Sequence, residues 1–377
     1  MPLLALDRLT KTFPGPVAAV EQLSLEVADG ELMVLMGPSG CGKTTTLRMI
    51  AGLEKPTAGH VCFEGRALDG LAPRDRDMAM VFQSAPLYPH LDVRRNIDFG
   101  LRLRRLRRQA RQERLTTAAS LVGIERLLGR RPHELSGGQR QRVCLARAIA
   151  RRPKLFLFDE PLAHLDAPAR LELRQEIRRL QRQLGTAALY VTHDATEAMA
   201  LADRVAVLDQ GRLQQVGCPQ AIYDRPANRR VAALIGSHPM AFLCGRVCVD
   251  EGCMHVDVAA AEGRLRIALP NALAAGLKLE RAADITLGLR PEHVRLLPPD
   301  SETSPGLKVP VVIETAERQG ALSWVTLSAA GVLLASLVPG HKVLQRGTRM
   351  LAVIDPECVL IFDAATGAAL PPSLPGC

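Results

Sequence analysis

Several short groups of residues in this chain carry side chains of the kind that handle phosphate. Gly37-Pro38-Ser39-Gly40-Cys41-Gly42-Lys43-Thr44 fits the phosphate-binding pattern G-x-x-x-x-G-K-S/T, and Thr45 follows it. Glycines lack a Cβ, so the backbone can wrap phosphate closely and aim its N–H groups inward. Lys43 is placed to reach β- and γ-phosphates, and the Thr44 hydroxyl suits Mg²⁺. Further along stand adjacent carboxylates, Asp159-Glu160. Near such a loop the first acid suits Mg²⁺ and the second suits orienting an attacking water. Ser136-Gly137-Gly138-Gln139 opens a helical stretch, where backbone N–H groups can meet an anion. Phe13 lies in the loop Lys11-Thr-Phe-Pro-Gly15 and can pack in a core or stack on an adenine ring.

Those groups need strands and helices to hold them. Glu31-Leu-Met-Val-Leu-Met36 reads as a buried strand ending at the glycine-rich loop, and Thr45 to Leu53 opens a helix. A chance glycine-rich turn would not be flanked in this way, so the loop reads as a nucleotide site. His60–Glu64, Met78–Phe82, Leu155–Phe158 and Ala187–Thr192 read as further strands. Gln83 follows the second of these, Asp159 the third and His193 the fourth. The C-terminal edge of a parallel sheet is where such folds bind ligands. From Val93 to about Arg131 the pattern turns helical and arginine-rich. Beyond Gly236 short alternating strands appear, including Arg264–Leu269, Ile285–Leu289, Trp324–Leu327 and Val332–Val338. They predict a small antiparallel β-barrel, with Trp324 as a core residue rather than a stacking platform.

Bulk properties bound the reading. A chain of 377 residues accommodates two domains with sizeable cores. Its start, Met1-Pro-Leu-Leu-Ala-Leu6 followed by Asp7 and Arg8, does not read as a signal peptide. Gln319 to Gly340 carries no charge, but it splits into two alternating runs around Ala329-Ala330-Gly331. That is a hairpin pattern rather than a transmembrane helix. Nine cysteines without a signal peptide argue for reduced thiols. Cys244, Cys248 and Cys253 lie close together without forming a C-x-x-C pair, so they read as free thiols, with a metal site as the lesser alternative. Much of the net charge of +9 comes from the arginines between Leu101 and Arg114. With Leu101, Leu103 and Leu106 beside them, they read as a solvated helix face, with anionic lipid headgroups as an alternative partner. The lack of interleaved aromatics argues against nucleic acid.

With these elements in order, the chain resembles the ATP-binding subunits of ABC transporters over nearly its whole length. The resemblance rests on the spacing of the phosphate loop, Gln83, Leu135-Ser-Gly-Gly-Gln139, Asp159-Glu160, Leu165-Asp166 and His193. More narrowly, it resembles the subunits that energise bacterial sugar and glycerol-phosphate importers. Met80-Val-Phe-Gln-Ser84, Leu87-Tyr-Pro-His-Leu91, Gly288-Leu-Arg-Pro-Glu-His293, Phe362-Asp363 and the junction Ile235–Leu243 carry that likeness. His238, Ala241 and Ala163-His164 depart from the usual residues.

The resemblance implies an α/β fold: a P-loop ABC-type nucleotide-binding domain over residues 1–236, with an inserted helical subdomain at about 90–150. A C-terminal all-β OB-like (TOBE-type) barrel over 237–377 would follow, with a regulatory or dimer-extending role. By position, Phe13 would stack on adenine, and Gly37 through Thr45 would hold the phosphates. Thr44, Gln83 and Asp159 would hold Mg²⁺. Glu160 would be the principal base and His193 would hold the γ-phosphate. Ser136 and Gly138 would bind the γ-phosphate of ATP held by a second copy, and Gly137, Gln139 and Asp166 would also belong to the nucleotide site. The implied assembly is a homodimer around two ATPs on two transmembrane permease subunits, with Ser84–His90 lining the groove for a permease helix. A periplasmic or extracellular substrate-binding protein would act indirectly, and no nucleic acid is expected. The protein would be peripheral, on the cytoplasmic face of the inner membrane.

The leading reading is thus an ATP-hydrolysing subunit energising import of carbohydrates, polyols or glycerol phosphate. An importer of iron, polyamine or sulfate would share the same ATPase core. A soluble ABC ATPase acting on nucleic acid would bring a second cassette or a long coiled coil, and neither is present. A purely regulatory ATP-binding protein would not need Glu160 and His193.

Overall fold

The computed structural model describes residues 1–15, 18–250, 253–260, 263–269, 283–301, 306–342 and 344–370. Backbone contacts divide the chain into two compact units, Met1–Pro219 and Gln220–Cys377.

The first unit has two sheets. In chain order its strands are β1 (Leu4–Thr12), β2 (Ala18–Val27), β3 (Leu32–Met36), β4 (Ala58–Phe63), β5 (Arg66–Ala67), β6 (Met78–Val81), β7 (Leu155–Asp159), β8 (Ala187–Thr192), β9 (Arg204–Asp209) and β10 (Arg212–Gly217). One sheet is antiparallel and four-stranded, β2-β1-β4-β5; the other is six-stranded, β10-β9-β3-β8-β7-β6. Within the larger sheet β9, β3, β8, β7 and β6 run parallel. Every residue of β3, β7 and β8 is buried, as parallel strands covered on both faces require. Register pairs Met36 with Thr192, Asp159 with Val191, and Val81 with Phe158. The strands therefore end together, and whatever follows them lines one edge.

Its helices are α1 (Lys43–Ala51), α2 (Val93–Leu103), α3 (Arg108–Leu121), α4 (Gly137–Ala150), α5 (Ala167–Leu184) and α6 (Ala195–Leu201). The arginine-rich stretch forms α2 and α3, which pack on α4. Arg102 and Arg111 both pair with Asp98, and Arg104 pairs with Asp77. Ion pairing on a solvated face accounts for these arginines. No described helix is long and apolar enough to cross a membrane.

The second unit begins with α7 (Pro219–Asp224) and α8 (Arg229–Leu234), ahead of the expected boundary at 236. Several contacts tie these helices to the later strands: the Arg229 N–H donates to the Gly367 carbonyl and Tyr223 Oη to Glu292, and Arg290, 2% exposed, donates to the carbonyls of Ile235 (2.6 Å) and Tyr223 (3.0 Å). Its guanidinium also lies 3.8 Å from the Tyr223 ring centroid. The strands that follow are β11 (Ala241–Asp250), β12 (Cys253–Ala260), β13 (Gly263–Ala268), β14 (Asp284–Leu289), β15 (Val294–Leu297), β16 (Leu307–Gln319), β17 (Leu322–Ala329), β18 (Val332–Pro339), β19 (Arg349–Ile354) and β20 (Leu360–Asp363). They form two five-stranded antiparallel sheets, β13-β12-β11-β14-β20 and β15-β19-β16-β17-β18. One core, including Leu243, Val256, Leu287, Val309, Val325 and Ile354, joins the inner faces of both. The uncharged stretch is the β17–β18 hairpin, with Ala329 paired to Val332.

Trp324 corrects the sequence expectation. Val325, Leu327 and Ala329 face the core, so the two-residue strand period turns Trp324 to the other face. There it is half-buried and stacks on His238 with ring centroids 5.6 Å apart.

Arg290→Ala would strand the buried Ile235 carbonyl, free the part-buried Tyr223 carbonyl and remove one clamp on α7 and α8. We expect a loss of about 2–4 kcal/mol from the second unit. Trp324 is the sole tryptophan, so its fluorescence in a denaturant titration reads that unit selectively. An unchanged midpoint would show that the clamp is dispensable.

Candidate nucleotide site

The loop between β3 and α1 is held by close backbone packing. A Cβ on Gly37 would lie 2.1 Å from the Leu208 carbonyl oxygen, and one on Gly42 would lie 2.2 Å from that of Ala19. Gly42 also has φ +102°, a conformation open essentially to glycine. The loop is thus wedged between β9 and β2. Lys43 is 4% exposed, and its Nζ donates to the carbonyls of Gly37 (2.8 Å) and Pro38 (2.9 Å). Cys41 is buried, and burial pushes its thiol up from its ordinary value.

Across the sheet edge, Thr44 Oγ1 donates to Asp159 Oδ1 at 2.9 Å. Asp159 ends β7 and is 6% exposed; burial raises its carboxyl, the Thr44 hydrogen bond opposes that, and the neighbouring Glu160 adds to it. A hydroxyl beside a carboxylate is a hard-oxygen donor set, which fits Mg²⁺. Glu160 has φ +42°, a left-handed conformation that a non-glycine residue holds only under constraint. The constraint is visible: its N–H donates to the Val191 carbonyl at 3.1 Å. Its Oε2 lies 3.1 Å from His193 Nδ1.

Three residues missed by sequence reasoning support His193 from behind. Tyr190 Oη and Thr192 Oγ1 each donate to Glu197 Oε2 at 2.9 Å, and the Asp194 N–H donates to Thr192 Oγ1 at 3.0 Å. All three are buried, and burial raises both the Glu197 carboxyl and the Tyr190 phenol. The spacing Tyr-x-Thr on a strand followed by a helical glutamate was the available signal. It fixes both ends of the His193 turn.

Other expected site residues lie elsewhere. Ser136 caps α4: its Oγ accepts from Gln139 N at 3.3 Å, while Gln139 Oε1 accepts from Ser136 N at 3.0 Å. Asp166 caps α5, accepting from Ala169 N at 2.9 Å. With Gly137, Gly138 and His164 these residues line a cleft of about 300 Å³ that includes no residue of the phosphate loop. Gln83 is exposed just beyond β6. Phe13 is 43% exposed in the β1–β2 hairpin, with Lys11 Nζ 4.9 Å from its ring centroid. At that exposure Phe13 does not fill a core.

Residues 20–163 match the family model described as ABC transporter. Over 364 residues the chain is 45% identical to the trehalose/maltose import ATP-binding protein MalK of Thermococcus litoralis, covering 94% of this chain and 96% of that protein. It is 43% identical to an sn-glycerol-3-phosphate import ATP-binding protein, UgpC 3, of Agrobacterium fabrum, covering 97% of this chain and 99% of the relative. The chain belongs to the ATP-binding subunits of ABC transporters. The ATP-binding cassette MJ0796, solved as a dimeric post-hydrolysis state bound to ADP and Pi, has 30% identity and a TM-score of 0.52. It aligns to 57% of this chain and 98% of its own. This ABC subunit binds and hydrolyses ATP.

Gly42→Ala places a methyl group against the Ala19 carbonyl and forbids the observed φ. Affinity of the ABC subunit for a fluorescent ATP analogue should fall at least about tenfold, the equivalent of roughly 1.4 kcal/mol. Unchanged affinity in a folded variant would show that the loop tolerates displacement.

Proposed function

We propose that this chain is the ATP-hydrolysing subunit of an importer for carbohydrates, polyols or glycerol phosphate. The observation that carries the catalytic part is the pairing of Thr44 with Asp159 and Glu160 with His193 at one sheet edge. Lys43 and the N–H groups of Gly37 through Thr45 bind the phosphates, and Phe13 stacks on adenine. Thr44, Asp159 and Gln83 hold Mg²⁺, which when bound neutralises charge developing on the β- and γ-phosphate oxygens. Glu160 orients the attacking water and takes its proton, and His193 holds the γ-phosphate.

A single copy is incomplete. The cleft at Ser136–Gln139 faces no phosphate loop of its own chain, so it supplies its N–H groups to ATP on a second copy. We therefore infer a two-fold homodimer enclosing two ATPs, in keeping with the dimer solved for MJ0796. A second cavity of about 430 Å³ is lined by residues that include Phe82, Leu87, Tyr88, Phe99 and Leu103. Its apolar lining suits a helix of the permease at the cytoplasmic face of the inner membrane. The β-rich unit serves regulation and dimer contact. High identity to MalK and UgpC across both units supports the substrate class.

Glu160→Gln should keep ATP binding and lower turnover by about 10²–10⁴-fold, because it removes the base and leaves the phosphate contacts intact. Hydrolysis near the wild-type rate would overturn the catalytic assignment. For the substrate class, vesicles carrying the cognate permease should show faster hydrolysis with a sugar- or glycerol-phosphate-loaded binding protein. Stimulation by an iron- or polyamine-loaded one alone would overturn the class and leave the ATPase standing.

A further inference from the structure

The second unit carries a cluster that ATP hydrolysis does not use. In the antiparallel pair β11–β12, Cys248 stands opposite His255 and Arg246 opposite Asp257. Cross-strand partners share a face, and so do residues two apart, so Cys248, Asp250, His255 and Asp257 all project from one side. The opposite side carries Val247, Val256 and Val258 into the core. His255 is nevertheless only 5% exposed, and its Nε2 has no hydrogen-bond partner among the described residues. The carboxylates of Asp250 (3.5 Å) and Asp257 (3.7 Å) flank that nitrogen without bonding to it. A buried ring nitrogen that makes no hydrogen bond among the described residues, only loose approaches to two carboxylates, is uncommon in folded proteins and calls for an explanation.

We propose that Cys248, His255 and Asp257 form a binding site for a divalent transition metal, Zn²⁺ above all. One ligand atom from each lies within 4.8 Å of the other two. Thiolate, imidazole and carboxylate are the donors zinc takes, and the sulfur disfavours Mg²⁺ and Ca²⁺. Bond lengths of about 2.0–2.3 Å put ligand atoms roughly 3.3–3.8 Å apart around a tetrahedral zinc. Cys248 Sγ already stands 3.8 Å from Asp257 Oδ2, so a contraction of about 1.5 Å at most closes the set.

Arg266, on β13, does not block the site. Its Nε donates to Asp257 Oδ1 at 3.2 Å and its Nη1 to Asp250 Oδ2 at 3.1 Å. That leaves Asp257 Oδ2 directed at the thiol, which is how a supporting donor orients a metal-binding carboxylate. Asp250 beside the same imidazole, or a solvent molecule, takes the fourth position. Binding converts the Cys248 thiol to thiolate and releases one proton to solvent. The consequence is a metal staple between β11 and β12, which ties the stability of the second unit to free metal concentration.

The test uses full-length protein stripped of metal, without nucleotide or Mg²⁺, titrated with Co²⁺ and back-titrated with Zn²⁺. We expect one equivalent of Co²⁺, a thiolate-to-cobalt band in the near ultraviolet, tetrahedral d–d bands in the visible, and displacement of all of them by Zn²⁺. Cys248→Ser should abolish the near-ultraviolet band, and His255→Gln should weaken Co²⁺ binding at least about tenfold. Cys253→Ser, which removes the exposed thiol beside the cluster, should leave the spectrum unchanged. Trp324 fluorescence confirms folding of each variant, and in the wild type Zn²⁺ should raise the unfolding midpoint that it reads. No cobalt band in the wild type, or a band that survives Cys248→Ser, would overturn the proposal.

Discussion

Parallel pairing of β3, β8, β7 and β6 is the constraint on which the site depends. These strands carry almost nothing but buried apolar side chains, so they are stable only when covered on both faces. Covering them forces right-handed crossovers through helices, and such crossovers make the strands run the same way. All their C-terminal ends then meet at one edge. The phosphate loop, Gln83, Asp159-Glu160 and His193 each stand at or just beyond the end of one of those strands, and Thr44 meets Asp159 and Glu160 meets His193 although far apart in sequence. The polar groups need no attraction for one another to assemble there; the apolar registers deliver them.

Assembly at the edge is then refined by local constraint. The glycine loop is wedged between two carbonyls, and Glu160 is held in a left-handed backbone conformation by a hydrogen bond to β8. The His193 turn is pinned through Thr192 and Asp194 to the buried Glu197. Each device uses the rigid sheet as its anchor, which is what precise placement around phosphate requires. The cleft at the start of α4 lies apart from this edge and already satisfies its own polar side chains by mutual capping. What it still offers is backbone N–H groups and the partial positive charge of a helix start. In the proposed homodimer those groups would meet phosphate brought by a second copy.

In the second unit the controlling feature is alternation. One face of each strand fills the shared core, and the other is left for specific contacts: Trp324 on His238, Arg246 on Asp284, and the Cys248–His255–Asp257 group. Arg290 reaches back to Ile235 and Tyr223 and helps make α7 and α8 part of this unit.

Much of this was written in the sequence by itself. Glycine, lysine and threonine at fixed spacing between a strand and a helix require a phosphate loop, because only glycines permit the close approaches seen at positions 37 and 42. Apolar runs of about five residues, followed by acid, amide or histidine, placed the remaining edge residues at strand ends. The hairpin at 322–339 was equally plain from its period. Other features were decided only by folding. Which face Trp324 takes depends on register, and a shift of one residue reverses it. That α7 and α8 belong with the later strands depends on contacts across long separations, among them Arg290 to carbonyls more than fifty residues away and Arg229 to Gly367. The support of His193 by Tyr190, Thr192 and Glu197, and the meeting of Cys248 with His255 and Asp257, arise between elements. Local propensity carries no information about such contacts; they exist because packing brings the elements together.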